Sequence, residues 1–380
     1  MRLISFMMLF CQDRDFYLRI AIDARMITSG SMHGIARYVF ELIIRLSEIG
    51  KRHSFFIFVK KNSPLFFETW PAHMQLVEMS SKWISFGEQL EIPAVLKRLK
   101  IDLFHSPSFV APVLSSAKLI MTIHDLNHIV LPQYYTPLHQ IYYNTIVRYS
   151  IAKSKFILTV SHFSKQEIVS NLGLNPNKVF VTYNGVSNSY RRQTDVQYMD
   201  YIREIYELPE RFILCISNNK PHKNVLQLVR AYCHSNVEIP LVLACPIDKA
   251  MIHLAEIYGK KHLIYFIKYV EEAHLPTLYS MTELFVYPST YEGFGLPPLE
   301  ALACESPVMV ARSSSLPEVV GRHAMFANPH DYQEMAQVLE DSIANLSQRS
   351  DIMDGALAHA LSFSWDKMAR ETLEVYERCI

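Results

Sequence analysis

The sequence predicts an α/β protein with two domains, each a doubly wound, Rossmann-like parallel sheet. At 380 residues the chain is too long for one ordinary hydrophobic core. Short, nearly continuous apolar runs alternate with helical patterns, as expected of strands that are buried on both faces. The alternation occurs twice, on either side of one polar and charged stretch, so the two halves are predicted to form separate sheets.

The first half begins with a βαβ unit. Its helix is predicted in ARYVFELIIRLSEIG, where Val39, Leu42, Ile43 and Leu46 recur at helical spacing and Gly50 offers a stop. The strands predicted in this half are LRIAIDA, SFFIFVKK, IDLFHSP, KLIMTIHD, KFILTVS and KVFVTYNG. The second half repeats the arrangement with FILCIS, IPLVLACP, LIYFIKYV, ELFVYPS and PVMVARS. Ligands of such sheets bind beyond the carboxyl ends of the strands, and the cleft between the domains is the expected place.

The predicted domain boundaries follow from composition. The polar stretch SNSYRRQTDVQYMDYIREIYELPER is interpreted as a linker, at 191–210, between an N-terminal domain (1–190) and a C-terminal domain (211–362). Residues 363–380 form a separate closing segment. The opening MRLISFMMLF is apolar but short and precedes the charged CQDRD, which favours neither a signal peptide nor a membrane span. Residues 1–16 are therefore interpreted as an extension ahead of the first strand.

The overall charge and the cysteines exclude several classes of protein. Lys and Arg together number 37, as do Asp and Glu, so no net field favours nucleic acid or a strongly acidic partner. The six cysteines are scattered without a CxxC pair, which argues against a zinc site or a disulfide scaffold and for a reducing compartment, the cytoplasm by default.

Two loops that follow predicted strands of the first half carry candidate residues. DARMITSGSMHGIARY places Gly30 and Gly34 before a helix, where the backbone can approach an anionic group, although an ordinary loop would look the same. It lacks the GxGxxG pattern of nicotinamide dinucleotide sites. TIHDLNH places His124 and Asp125 at the sheet edge, where a neutral imidazole can bind a hydroxyl or carbonyl group, with a purely structural histidine as the alternative.

The loop ISNNKPHKN opens the second half and clusters three basic side chains around a proline. Lys220, His222 and Lys223 follow a predicted strand, and lysine cations at a strand end can balance the charge of a leaving diphosphate. A solvated turn is the alternative interpretation.

The stretch YEGFGLPPLEALACESPV places two acids around two glycines. Its two prolines fit the first turn of a helix that begins near Leu296, which puts Glu300 in that first turn. Gly293 and Gly295 free the preceding amides to approach a ligand, and a carboxylate at the helix mouth can accept two ribose hydroxyls. Glu292 lies in the same loop. Alternatively, Glu300 only complements the helix dipole and the glycines only turn the chain.

The segment from LPTLYS to SSSLPEVVG closely resembles the nucleotide-binding core of family 4 retaining glycosyltransferases, which have the two-domain GT-B fold. It contains their motif of two glutamates with seven residues between them. Further similar segments, from about residue 18 onward, are GIARYVFELI, TIHDL, VSHFSKQEI, YNGV and NNKPHKN. FSWDKMARETLEVYERC is similar to the family's last helix, which crosses back to the first domain.

The resemblance implies roles for the matching residues. Glu300 would hold the ribose, and Glu292 would contact the transferred sugar, together with the backbone at Phe294, Gly295 and Leu296. Lys223 would bind the diphosphate. Gly34 would let the first domain approach that diphosphate, and His124 would touch the donor sugar near the reaction centre. His222 stands where many relatives have arginine, and Lys220 is the alternative cation.

The resemblance also implies a function. A hexose, with mannose as first choice, would pass with retention of configuration from a nucleoside diphosphate sugar to a lipid-linked glycan of surface polysaccharide. GDP-mannose is the favoured donor and a UDP-sugar the second, with no metal or other cofactor. LPQYYTPLHQIYYNTIVRY could dock at the cytoplasmic face of the inner membrane, although helix packing also explains its tyrosines. The alternatives are a non-catalytic sugar-nucleotide-binding subunit and, more remotely, a nicotinamide-dependent oxidoreductase.

Overall fold

A computed structural model describes residues 18–28, 34–134 and 142–379. Its contacts divide the chain into two compact units. The first contains the described residues within 1–123, 136–158 and 369–380, and the second those within 124–135 and 159–368. The predicted extension at 1–16 and Gly30 lie outside the described residues.

The first sheet is parallel in all its recorded strand pairs and has the order β3-β2-β1-β4-β5-β6-β7. Its strands are β1 (Arg19–Asp23), β2 (Ser54–Val59), β3 (Met74–Glu78), β4 (Leu103–Ser106), β5 (Lys118–Thr122), β6 (Phe156–Thr159) and β7 (Val179–Val181). The chain winds outward from β1 in both directions, as predicted for a doubly wound sheet.

The second sheet repeats this winding with the order β10-β9-β8-β11-β12-β13. Its strands are β8 (Ile213–Ile216), β9 (Leu241–Ala244), β10 (Ile264–Ile267), β11 (Leu284–Tyr287), β12 (Val308–Ala311) and β13 (Met325–Ala327). Strands β8, β9, β11 and β12 are buried along nearly their whole length, which explains their continuous apolar sequences.

The sequence did not predict β3 and β13, which are both edge strands. In β3, Met74 and Val77 are buried and Leu76 is half-buried, but exposed Gln75 and Glu78 interrupt the apolar run by which the other strands are recognised. β13 has three residues, too few for a recognisable pattern.

Helices connect the strands in both units. In chain order they are α1 (Ile35–Ile49), α2 (Glu88–Arg98), α3 (Asn127–Val130), α4 (Arg148–Lys153), α5 (His162–Leu172), α6 (Val196–Ile205), α7 (Val225–His234), α8 (Lys249–Ile257), α9 (Leu275–Met281), α10 (Leu296–Ala303), α11 (Leu316–Val320), α12 (Tyr332–Ala344), α13 (Leu346–Met353), α14 (Ala356–Leu361) and α15 (Trp365–Glu377). Within the described residues, none of these helices has the length and apolar character needed to span a bilayer.

The interpretation of 191–210 as a linker needs correction. This segment contains α6, whose Ile202 is completely buried, and flanking Tyr190 and Leu208 belong to the same hydrophobic core of the second unit. Its polar composition reflects a helix with a single apolar face. The closing helix α15 contributes its residues from Ala369 onward to the first unit, where the Tyr376 hydroxyl lies 2.6 Å from His105 Nδ1.

Candidate active site

The candidate site lies where the strand order of the second sheet reverses, between β8 and β11. Loops that leave the carboxyl ends of the two strands at such a point diverge and form a crevice, in which doubly wound sheets bind their ligands. The lysine-containing loop follows β8, and the glycine-containing loop follows β11. Both positions were predicted from the sequence.

The loop after β8 is fixed by a one-turn 3₁₀ helix, Pro221–Lys223. The carbonyl of His222 accepts hydrogen bonds from the Thr290 amide at 2.8 Å and from the Ser289 hydroxyl at 3.1 Å. Asn224 has φ of +61°, and its side-chain amide donates to the carbonyl of Pro288 at 3.2 Å. These bonds hold the loop of Lys223 against the segment that leaves β11.

Lys223, Tyr287 and Glu292 form a triangle of hydrogen bonds, which we call the Lys-Tyr-Glu triangle. Lys223 Nζ lies 2.6 Å from Glu292 Oε1 and 3.0 Å from the Tyr287 hydroxyl. The Tyr287 hydroxyl donates to the same Glu292 Oε1 at 2.8 Å. The Lys223 and Glu292 side chains are only 15% and 13% exposed, so water screens this ion pair weakly.

The surroundings of the triangle fix its protonation. Burial alone would lower the pKa of Lys223, but Tyr287 and Glu292 raise it above its usual value. Burial, followed by the charge of Glu292, raises the pKa of Tyr287. At neutral pH Lys223 is therefore a cation and Tyr287 keeps its proton, so the tyrosine remains a hydrogen-bond donor to the carboxylate.

The triangle leaves bonding capacity for a ligand. An ammonium group has three N–H donors, and Lys223 uses two of them within the described structure. Glu292 Oε1 is occupied by two donors, whereas Oε2 makes no protein hydrogen bond within the described part of the chain. The arrangement can thus offer one cationic donor and one carboxylate oxygen without breaking any of its own bonds.

Serine hydroxyls from the SSSLPEVVG segment hold the backbone of the glycine-containing loop. Ser315 Oγ donates to the carbonyls of Glu292 at 3.0 Å and Phe294 at 2.7 Å, and Ser314 Oγ accepts from the Glu292 amide at 3.0 Å. Ser313 Oγ donates to the Ser289 carbonyl at 2.9 Å. In the sequence this segment is only part of the family resemblance, whereas in the structure its serines support the loop that carries Glu292.

Consecutive amides at the start of α10 point to an anion site. Within the described residues, the N–H groups of Phe294, Gly295 and Leu296 donate no hydrogen bond, and no side chain caps this helix. Gly295 precedes α10 with φ of +108°, a conformation that side chains disfavour. The start of the helix near Leu296 and the prolines in its first turn were predicted correctly.

Gly293 is required where two loops of the second unit meet. A Cβ atom at this position would lie 2.0 Å from the carbonyl oxygen of His124, so only glycine allows this close approach. The Ser161 and Ser164 hydroxyls donate to the Gly293 carbonyl at 2.7 and 3.1 Å. This packing brings half-buried His124 next to Glu292, as the prediction that both face one site requires.

Glu300 lies just beyond the first turn of α10, the turn in which the sequence had placed it. It is the fifth residue of the helix, and the first turn contains no acid. Because the dipole effect fades within the first turn, helix stabilisation alone is a weaker explanation of this acid. Glu300 is half-buried, and its Oε2 accepts from the Tyr279 hydroxyl at 3.3 Å. Burial and then Glu300 raise the pKa of Tyr279, which keeps that donor protonated.

His222 does not replace the arginine of the relatives as a cation. Its ring is buried, and Nδ1 accepts from Asn127 Nδ2 at 3.4 Å. Burial and then the charge of Lys223 lower the pKa of His222 to about 4, so the ring is neutral at physiological pH. Lys220 is exposed, and its charge acts on half-buried Asp125, so it stays the alternative cation.

Two side chains of this site were not predicted from the sequence, and a third was named without a role. Tyr287 stands at the end of a strand and carried no signal apart from its apolar neighbours. Asn127 reaches His222 across 95 positions of the chain, a contact that no local pattern encodes. Asp125 was placed at the sheet edge without a role. Burial, and more weakly the charge of Glu292, raise the pKa of Asp125, so it belongs to the same electrostatic cluster.

Gly34 lies in the first unit, immediately before α1. It has φ of +61°, and within the described residues, which leave out 29–33, no side chain caps the helix and a Cβ atom here would meet no atom within 4 Å. The position therefore requires a left-handed backbone at a helix N-terminus. The assigned roles of Gly34, His124, Glu292 and the other site residues stay predictions.

Known proteins match both halves of the chain. The family model described as Glycosyl transferases group 1 matches residues 201–356, and that described as Glycosyltransferase Family 4 matches residues 32–190. O-antigen chain mannosyltransferase B of Escherichia coli is 30% identical over 289 residues, which cover 74% of this chain and 76% of that protein. The chain is a family 4 glycosyltransferase. The predicted resemblance and enzyme class are thereby confirmed.

Two further similarities support the same family and fold. O-antigen chain mannosyltransferase RfbU of Salmonella typhimurium is 25% identical to this glycosyltransferase over 289 residues, which cover 75% of this chain and 76% of that protein. The crystal structure of a glycosyltransferase from Rickettsia africae superposes with a TM-score of 0.74 at 20% identity, covering 96% of this chain and 99% of that one. The predicted GT-B fold class, with two parallel-sheet α/β units, is confirmed.

Replacing Tyr287 by phenylalanine should lower kcat of the glycosyltransferase by about tenfold to a hundredfold, the typical worth of a hydrogen bond to a charged group. The ring would still fill its buried position, but Glu292 would lose a donor and could rotate away from its present orientation. Steady-state kinetics that separate kcat from KM would measure this. Tyr232→Phe is the matched control, because it removes a buried hydroxyl that donates to the Ile239 carbonyl at 2.9 Å outside the site. Unchanged kcat in Tyr287→Phe would contradict the positioning role.

Proposed function

We propose that this glycosyltransferase moves a mannosyl residue from a nucleoside diphosphate mannose, GDP-mannose in the first instance, to a hydroxyl of a lipid-linked glycan during surface polysaccharide synthesis. The names of its two O-antigen mannosyltransferase relatives support the sugar and the polysaccharide class. One structural observation carries the donor assignment. The Lys-Tyr-Glu triangle lies beside the start of α10, whose first backbone N–H groups donate no hydrogen bond within the described residues. Both belong to loops at the switch point of the second sheet, where such sheets bind their ligands.

Each part of the sugar nucleotide has a matching partner in the proposed mechanism. Glu300 accepts hydrogen bonds from the ribose hydroxyls, and the Tyr279 hydroxyl orients its carboxylate. The third N–H of Lys223 and the amides of Phe294 and Gly295 bind the diphosphate. Glu292 Oε2 accepts a hydroxyl of the transferred sugar, and His124 keeps its predicted contact with that sugar. Gly34 keeps its predicted role, in which the backbone before α1 approaches the same diphosphate.

The proposed reaction is a same-face displacement. The bond between the anomeric carbon and the diphosphate oxygen breaks, the acceptor oxygen bonds to the anomeric carbon from the same side, and the acceptor proton passes to the departing phosphate. Lys223 and the helix amides stabilise the negative charge that develops on the diphosphate, so configuration is retained without a carboxylate nucleophile. The scheme uses no metal ion. Within the described residues, no group of three or more His, Cys, Asp and Glu side chains is placed to hold one.

A panel of sugar nucleotides tests the proposal. The protein is incubated with GDP- and UDP-sugars, with and without lipid-linked acceptor and with or without EDTA, and the release of nucleoside diphosphate is followed. We expect acceptor-dependent release of GDP from GDP-mannose, unaffected by EDTA, and an α-linked product by NMR. Release from a UDP-sugar alone would identify the second donor candidate. Binding of a donor without turnover, with every acceptor fraction, would identify the non-catalytic subunit instead.

The lipid-linked acceptor places the proposed reaction at the cytoplasmic face of the inner membrane. A peripheral contact would bring the enzyme to such an acceptor without a membrane-spanning helix. The aromatic stretch 131–149 was the sequence-based candidate for that contact. Within its described part, Tyr134 and Tyr149 are 46% and 44% exposed, whereas Tyr142 and Tyr143 are half-buried, so only some of its rings face solvent.

A further inference from the structure

The most exposed apolar side chains of the described structure lie in the first unit. Phe86 is 77% exposed, Leu90 79% and Leu114 68%, the three largest values among the large apolar residues that the structure describes. Ile84 and Tyr149 are each 44% exposed. We call these five residues the apolar patch.

Hydrogen bonds join the segments that carry the patch. Gln89 Nε2 donates to the Ala111 carbonyl at 3.3 Å, and Gln89 Oε1 accepts from the Val113 amide at 2.8 Å. These bonds hold the start of α2, with Leu90, against the loop that carries Leu114. The Ser150 hydroxyl donates to the same Ala111 carbonyl at 3.0 Å, so the start of α4, with Tyr149, packs against the same loop.

The turn that carries the patch is anchored from inside. Glu88 binds buried Arg25 at 2.8 Å, and Glu91 accepts from the Ser80 and Ser81 amides at 2.7 and 2.6 Å. Ile84 is held with φ of +56°, an unfavourable conformation for a β-branched residue, and its amide donates to Glu88 at 3.2 Å. The protein thus fixes a strained turn whose apolar side chains point outward, a cost that marks functional surfaces more often than ordinary loops.

The exposed charged side chains closest in sequence to the patch are basic. Lys82, Arg148 and Lys153 are exposed, and Lys153 Nζ lies 4.6 Å from the ring centre of Tyr149. The two acids of the turn are occupied by the internal bonds described above. No Asp or Glu occurs in the sequence at 103–124 or 126–166. Exposed apolar side chains with basic neighbours complement the headgroups and acyl boundary of an anionic lipid bilayer.

We propose that the apolar patch docks the enzyme onto an anionic membrane surface, with Phe86, Leu90 and Leu114 entering the headgroup region and the three basic side chains contacting the phosphates. The inference rests on the proposed function, in which the acceptor is lipid-linked, and supplies the surface that such an acceptor requires. In this proposal the apolar patch, and not the aromatic stretch 131–149, is the main contact with the membrane, and Tyr149 is the one residue that both share.

Sedimentation with vesicles tests the docking surface. The full chain is mixed with vesicles of phosphatidylethanolamine and phosphatidylglycerol, or of phosphatidylcholine alone. We expect binding to the anionic vesicles that weakens with salt. The triple variant Phe86→Ser, Leu90→Ser, Leu114→Ser should lose about tenfold in partition for each side chain. The matched control is Val196→Ser, Ile247→Ser, Ile257→Ser, which changes residues of the second unit that are 66%, 59% and 66% exposed. It should bind as the wild type does.

A second variant and a second measurement separate the outcomes. Lys82→Glu with Arg148→Glu should weaken binding and flatten its salt dependence. Transfer to a water-soluble acceptor glycan should be equal in the wild type and the patch variant. If the proposed glycosyl transfer is wrong, both proteins fail in this assay, whereas a wrong docking proposal shows only in sedimentation. The docking proposal is overturned if the wild type ignores anionic vesicles, or if the patch variant binds them equally well. It is also overturned if the variant instead converts a wild-type dimer into monomers.

Discussion

Lys223→Met should lower kcat/KM for the sugar nucleotide by about 10²- to 10³-fold, the range found when one donor to a developing oxyanion is removed. Methionine fills nearly the same volume but has no charge, so the departing diphosphate would lose its nearest cation. Glu292 would keep the Tyr287 hydrogen bond but lose its ion pair at 2.6 Å. An unpaired, poorly solvated carboxylate should reduce the free energy of unfolding by about 1–3 kcal/mol. Donor kinetics and thermal unfolding of the same preparation measure the two effects.

Lys260→Met is the control for this experiment. The Lys260 side chain is 13% exposed, close to the 15% of Lys223, and its Nζ donates to the Ser235 and Val237 carbonyls at 2.8 and 2.9 Å, outside the candidate site. We expect a loss of stability in both variants and a loss of catalysis only in Lys223→Met. If a folded Lys223→Met enzyme retains wild-type kcat/KM, Lys223 is a structural residue and the diphosphate binds elsewhere.

The fold was largely predictable because its strands are buried on both faces. Near-continuous apolar sequences identify β8, β9, β11 and β12 without knowledge of their neighbours. The same criterion fails at a sheet edge, where polar residues interrupt the apolar run of β3, and in α6, whose polar face resembled a linker. Burial of one face leaves a weaker pattern than burial of two, and the errors fall on elements of that kind.

The site was predictable only as far as local geometry determines it. The glycines, prolines and charged residues that follow β8 and β11 predicted the positions of Lys223, Glu292 and Glu300, because the carboxyl ends of parallel strands share one edge of the sheet. The sequence did not predict that Gly293 fits against another loop, where the carbonyl oxygen of His124 excludes a Cβ atom. Ser161, which binds the Gly293 carbonyl, stands 132 positions away. Contacts of this range depend on the packed fold and leave no pattern in a short window of sequence.

The second large effect is expected from Glu300→Gln, which should raise the dissociation constant of the nucleoside diphosphate by about tenfold to a hundredfold. Glutamine has the same shape, and its carbonyl can still accept one hydroxyl, but it lacks the charge and the second acceptor that a vicinal diol requires. Calorimetry with the free diphosphate, without a sugar, isolates this binding from contacts of Glu292. Tyr279→Phe removes the donor that orients Glu300 Oε2 from 3.3 Å, so it should weaken the same binding to a smaller extent.

Glu305→Gln is the matched control for Glu300→Gln. Glu305 is exposed, follows the end of the same helix and lies 3.9 Å from Arg192, so its replacement should leave nucleotide affinity unchanged. The two glutamates of the motif should also separate in kinetics. Because Glu300 would contact the ribose and Glu292 the sugar, Glu300→Gln should mainly raise KM, whereas a change at Glu292 should mainly lower kcat. Equal affinity of wild type and Glu300→Gln for the diphosphate would show that the ribose is held elsewhere, and Lys223 with the α10 amides would then have to carry donor binding alone.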